Sequence, residues 1–129
     1  MNREFGLLTM LAAAVLLCAC SSRGRSFEEN YQKALANAAG GAGARYDNAL
    51  GEALREPGSP LSLRDCLISN PGQQGVHGYF EIRSSTDYSL VLRPEGGLAT
   101  CVAGHLEHHT IPAPPESPYL NPYALRLIP

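Results

Sequence analysis

An α+β fold is what this 129-residue sequence predicts, and three observations carry the prediction. Apolar residues recur at helical spacing from Ser26 to Glu56, a period-two alternation runs from Val76 to Ile82 and again from Tyr123 to Ile128, and Gly/Pro clusters separate these stretches. Helices followed by a hairpin, a helix and a last strand suit a small antiparallel sheet with helices packed on it.

The amino-terminal element is a pair of helical stripes. Phe27, Tyr31 and Leu35 follow i, i+4, i+8, with Ser26 placed to cap and Glu29 three residues on. Tyr46, Leu50 and Leu54 repeat the spacing, and Tyr-x-x-Ala-Leu-x-x-Ala occurs at both 31–38 and 46–53. Gly40-Gly41-Ala42-Gly43 lies between them, and each glycine costs a helix about 1 kcal/mol, so a break is expected there. The Gly-x-Gly within it lacks the preceding strand and following lysine of a phosphate loop. Pro57-Gly58-Ser59-Pro60 closes this region.

A compact unit follows. Leu63, Cys66 and Leu67 share a helical face that Asn70-Pro71-Gly72 ends. Val76, Gly78, Phe80 and Ile82 then oppose His77, Tyr79 and Glu81 on a half-buried strand. Ser84 to Asp87 forms a turn, Tyr88 to Leu92 a second strand, and Leu98 to about His108 a helix with Leu98, Cys101, Val102 and His105 or Leu106 on one stripe. Proline-spaced residues 112–122 lead to a last strand over Tyr123 to Ile128. That stretch reads as an extended recognition segment or, more plainly, as a connection.

The first twenty residues speak to location. A polar start, Met1 to Glu4, precedes an apolar run, Phe5 to Leu17, of signal-peptide length and short of the roughly 20 residues a spanning helix needs. Leu17-Cys18-Ala19-Cys20-Ser21 resembles the lipobox of bacterial lipoproteins. By that resemblance residues 1–19 are a lipoprotein signal peptide and Cys20 is acylated. Ser21 then sends the protein to the outer membrane, on its periplasmic face. The alternative is an uncleaved amino-terminal anchor. Of the four cysteines, Cys18 would leave with the leader and Cys20 would carry lipid, so an oxidising periplasm makes a Cys66–Cys101 disulfide the expectation. Closing a loop of about 36 residues would stabilise the fold by roughly 3.8 kcal/mol in the chain-entropy model.

Charge and motifs narrow the function. A formal charge of −2 and a pI near 6.0 leave no basic footprint, which argues against nucleic acid. No Gly-x-Ser-x-Gly, His-Glu-x-x-His or Ser-x-x-Lys occurs, so no catalytic residue, cofactor or small-molecule substrate is assigned and a non-enzymatic role is expected. His105 and His109, one helical turn apart with Glu107 between them, are candidate metal ligands, with His77 as a fourth. Ordinary packing and solvation at a helix end are the competing account. Tyr79, Tyr88, Tyr119 and Tyr123 either line a binding groove or cover the core's edge.

Leu63-Arg64-Asp65-Cys66, Asn70-Pro71, Gly75-Val76, Phe80-x-Ile82, Cys101-Val102 and Ile111-Pro112-Ala113-Pro114 together resemble the two-cysteine version of the TonB carboxy-terminal domain, which occurs in envelope proteins including ones of gliding motility. Here His109 stands where that family has tryptophan and Ile111 where it has phenylalanine. The resemblance implies a domain over 61–129, after a lipidated helical tether over 20–60, and recognition of an envelope protein by strand addition near the last strand. Fully helical, residues 26–56 would reach only about 45 Å, which together with a lipid anchor argues against transduction of inner-membrane force. The expected role is thus a protein-interaction module. The alternatives are a metal-binding or sensing lipoprotein using the 105–109 histidine cluster and a structural envelope lipoprotein.

Overall fold

The computed structural model describes residues 26–55 and 59–127. The lipobox, Cys20 and Pro57-Gly58 lie outside the described residues. Among the described residues four helices, α1 (Ser26–Ala38), α2 (Gly41–Leu54), α3 (Ser59–Ser69) and α4 (Gly97–Leu106), accompany three strands, β1 (Gly75–Ile82), β2 (Tyr88–Arg93) and β3 (Tyr119–Arg126). The sheet is antiparallel in the order β2-β1-β3. The fold is α+β with the element order the sequence predicts.

Register sorts the strand side chains onto two faces. Phe80 pairs with Leu90 and with Asn121, and Ile82 pairs with Tyr88 and with Tyr119, so these residues share one face with Val76, Leu92, Tyr123 and Leu125. Against that face stand Tyr46, Leu50 and Leu54 of α2, Cys66 of α3, and Leu98, Val102 and Leu106 of α4, in one hydrophobic cluster. α3 rests mainly on α4, and a Cys66–Cys101 disulfide joins the two with a Cα–Cα distance of 5.6 Å. Asn70 closes α3 by donating Nδ2 to the Cys66 carbonyl at 2.8 Å.

The second face, with His77, Tyr79, Val91 and Arg93, is covered as well. α1 lies across it: Phe27 packs on Tyr79 and His77, Tyr31 packs on His77, and the Arg93 guanidinium sits 4.8 Å above the Phe27 ring. Asn30 donates to the Tyr79 hydroxyl at 3.2 Å, and Ala34 is fully buried. The described residues therefore form three layers, α1, the sheet, and α2–α4. This corrects two expectations. β1 is buried on both faces around Tyr79 rather than half-buried, and the helices assigned to a tether over 20–60 are built into the domain. The physical reason is the break between them. Gly41 adopts a φ of +61°, which glycine takes without penalty, and the chain turns from one face of the sheet around β3 to the other. Gly43 lies inside α2 rather than in the break, and its lack of a side chain lets α1 and α2 meet closely, since a Cβ there would run into the Asn37 backbone carbonyl.

The last strand begins four residues earlier than its alternation predicts and contains Pro122. A proline fits a strand only where its missing N–H faces away from the neighbour, and β3 is an outer strand. On α4 the buried stripe is Leu98, Val102 and Leu106, which leaves His105 exposed.

Candidate functional site

A three-stranded sheet has two outer edges whose backbone groups lack a ladder partner, and such an edge is a template for an incoming strand. Each edge in this protein is treated differently. In an antiparallel strand alternate residues point both N–H and C=O to the same side. On β3 the outward residues are Leu120, Pro122, Ala124 and Arg126: the Leu127 amide turns inward to the Gln74 carbonyl at 2.8 Å, while the Leu120 carbonyl turns outward to α1.

The β3 edge is closed through its first half. Asn37 of α1 donates Nδ2 to the Leu120 carbonyl at 2.9 Å. Pro122 has no N–H to offer, and its carbonyl accepts from the Asn121 side chain at 3.2 Å. α1 and α2 rise on either side of the strand, leaving a groove of about 580 Å³ lined by Tyr31, Leu35, Asp47, Arg55 and Ala124 among others. Asn121, almost wholly buried, also donates to Asp47 at 2.9 Å and so ties β3 to α2. Its Oδ1 and the Tyr119 hydroxyl meet no partner among the described residues. The expectation of an open edge at the last strand fails at 120–122 for these reasons.

The β2 edge is guarded more lightly. Tyr88, Leu90 and Leu92 point outward, as the Leu90 amide shows by donating to Glu107 Oε1 at 3.2 Å. Arg93 folds its own Nη1 onto the Leu92 carbonyl at 3.1 Å and pairs with Glu95 at 3.2 Å. Both guards are side chains with rotamer freedom. The Leu90 carbonyl and the Leu92 amide face a cleft of about 370 Å³ between β2 and α4. Its helical wall is Ala99, Thr100 and Ala103, and its floor is Leu90 to Arg93. Small side chains on that wall leave room for an extended backbone beside the strand.

The candidate metal ligands do not converge. Glu107 is engaged with the β2 edge, His109 directs Nε2 to the His105 carbonyl at 3.1 Å, and His77 packs among Phe27 and Tyr31 on the opposite face of the sheet. What the structure does bring together is Cys66, Cys101 and His105, whose ligand atoms lie within 4.8 Å of one another.

Tyr79, Tyr88 and Tyr119 serve the core, whereas Tyr123 both packs on the core and lines the groove beside β3. The Tyr88 hydroxyl lies 2.7 Å from the Leu106 carbonyl and accepts from the His109 amide at 2.9 Å, tying off the end of α4. Tyr46 donates to the Pro112 carbonyl at 2.9 Å, and burial, with Tyr119 adding to it, pushes its hydroxyl up to about 12. Tyr123 packs edge-on against Phe80, and burial pushes it to about 12 as well. Burial also raises Tyr88 and Tyr119.

The residues that line the β2 cleft escaped sequence reasoning. Ala99 and Ala103, at the margin of the core, and exposed Thr100 form a small-residue wall on α4, a signal visible in the sequence only after the adjoining Leu98–Val102–Leu106 stripe is assigned to the core. No helix among the described residues is long and apolar enough to cross a membrane. Comparison with family models, curated proteins and solved structures returns no match.

Proposed function

We propose that this chain is a non-enzymatic, lipid-anchored envelope protein of the two-cysteine TonB carboxy-terminal type, and that it binds an extended segment of another envelope protein by strand addition along β2. The observation that carries the reading is the β2–α4 cleft, where an outward carbonyl and amide of a regular strand face a wall of small residues. Strand addition takes affinity from main-chain hydrogen bonds and specificity from pockets for alternate side chains. A backbone seated in this cleft meets the Leu90 carbonyl and the Leu92 amide first, and displacement of Glu107 and Arg93 opens two more groups. The disulfide supports the role by fixing α4, the cleft's wall, to α3.

The anchor rests on Leu17-Cys18-Ala19-Cys20 and the placement on Ser21. The mature protein then begins at Cys20 and faces the periplasm from the outer membrane. Intact mass of membrane-extracted protein tests both ends of this account: a chain from Cys20 with added acyl mass and two fewer hydrogens is expected, whereas a chain that retains Met1 contradicts it.

The binding site is tested with a photo-crosslinking residue in place of Thr100 in the full-length, membrane-bound chain. One discrete adduct is expected, mapping to an extended segment of the partner and abolished by Ala103→Arg, which fills the cleft. The same crosslinker in place of Asn48, on the β3 side, is expected to yield none. Adducts at Asn48 with none at Thr100 would sink the proposal.

A further inference from the structure

Cys66, Cys101 and His105 occupy the seam between α3 and α4. Cys101 and His105 are four residues apart on α4 and therefore share a face, while Cys66 reaches them from α3. The set is graded from core to surface, with Cys66 fully buried, Cys101 half-buried and His105 exposed. Both sulfurs and an imidazole nitrogen lie within 4.8 Å of one another.

We propose that reduction of the disulfide converts this seam into a zinc site, with Cys66 Sγ, Cys101 Sγ and a His105 ring nitrogen as ligands and a fourth position left for water or an exogenous donor. Tetrahedral zinc with Zn–S near 2.3 Å and Zn–N near 2.0–2.1 Å needs ligand atoms roughly 3.5–3.8 Å apart. The imidazole nitrogen lies within 4.8 Å of both sulfurs, so side-chain rotations that separate the two sulfurs and bring the exposed His105 ring closer complete the site. Two thiolates and an imidazole are a donor set that suits zinc over hard cations such as magnesium or calcium.

The site is gated by redox state, because disulfide sulfurs carry no negative charge and bind zinc poorly. An external dithiol supplies the electrons. Its thiolate attacks the half-exposed Cys101 sulfur, the S–S bond breaks, and Cys66 leaves as a thiolate that takes up a proton. The reductant's second thiolate then attacks the mixed disulfide and releases Cys101, so two electrons and two protons have passed to the protein and the dithiol has become a disulfide. Zinc displaces those two protons as the two Zn–S bonds form.

The test uses the full-length chain, reduced with a dithiol and freed of it anaerobically, then titrated with Co²⁺ and Zn²⁺ while near-ultraviolet circular dichroism follows the fold. One Co²⁺ per chain is expected, with sulfur-to-cobalt charge-transfer absorption and four-coordinate d–d bands that Zn²⁺ abolishes. The oxidised chain is expected to show neither. His105→Ala should lower zinc affinity by at least about tenfold, the loss seen even for groups that only support a metal ligand. His109→Ala should leave it within about twofold. Absence of the cobalt bands in the reduced chain, bands unchanged by His105→Ala, or a reduced chain that unfolds and is not restored by zinc would each overturn the proposal.

Discussion

The two outer strands of the sheet carry the same chemical liability and meet it in opposite ways. β3 is flanked by α1 and α2, and through its first half Pro122 lacks an outward N–H while the carbonyls of Leu120 and Pro122 are held by Asn37 and Asn121. β2 is left beside a cleft, and its outward groups are met by Glu107 and Arg93, side chains that can swing away. A permanent cover belongs to a structural edge. A removable one suits an edge kept for a partner, and that difference directs the functional reading to β2.

The largest way to break the contrast is to loosen the wall of the β2 cleft. Replacing both cysteines, as Cys66→Ala with Cys101→Ala, should cost about 2–5 kcal/mol in chemical denaturation and should weaken partner binding at β2. Next in size is alkaline titration, which strikes the β3 side. Tyr46 and Tyr123 have folded values raised from 10.0 to about 12, so the stability they contribute is complete below pH 10.0 and is lost as pH rises toward 12. Absorbance at the phenolate band, followed with circular dichroism, should show these two ionising only as the fold is lost. Gly43→Ala should come third, at about 1–3 kcal/mol, because its methyl group must push α2 away from Asn37. Amide exchange should then rise along α1 and β3 and stay unchanged along β2. The smallest effect belongs to Glu107→Ala: a loss of at most about 1 kcal/mol from one part-buried hydrogen bond, with faster exchange at Leu90 and tighter partner binding.

The sequence made some of this legible and concealed the rest. The β1–β2 hairpin was readable because period two survives on a sheet face and turn residues mark its end: the Asp87 amide donates to Ser84 Oγ at 3.1 Å. The disulfide was readable from the cysteine count together with the oxidising compartment that the lipobox resemblance implies. The position of α1 was not. Phe27, Tyr31 and Leu35 announce an amphipathic helix, yet nothing local says which face of a distant sheet the stripe will cover. The burial of Tyr79 and the closing of β3 at Leu120 both follow from that placement, so both were missed together. The start of β3 was hidden by Pro122, a residue that argues against a central strand and is harmless on an outer one. The cleft was least legible, since it is made of backbone directions and small side chains rather than of reactive groups.

Amide hydrogen exchange on the full-length protein, with and without a synthetic peptide of the segment that crosslinks at position 100, distinguishes the two edges directly. With strand addition at β2, exchange at Leu92 slows by at least about tenfold on binding, the mark of a new backbone hydrogen bond worth about 1.4 kcal/mol or more, while Ala124 and Arg126 on β3 are unchanged. Protection at Ala124 and Arg126 with none at Leu92 would contradict it.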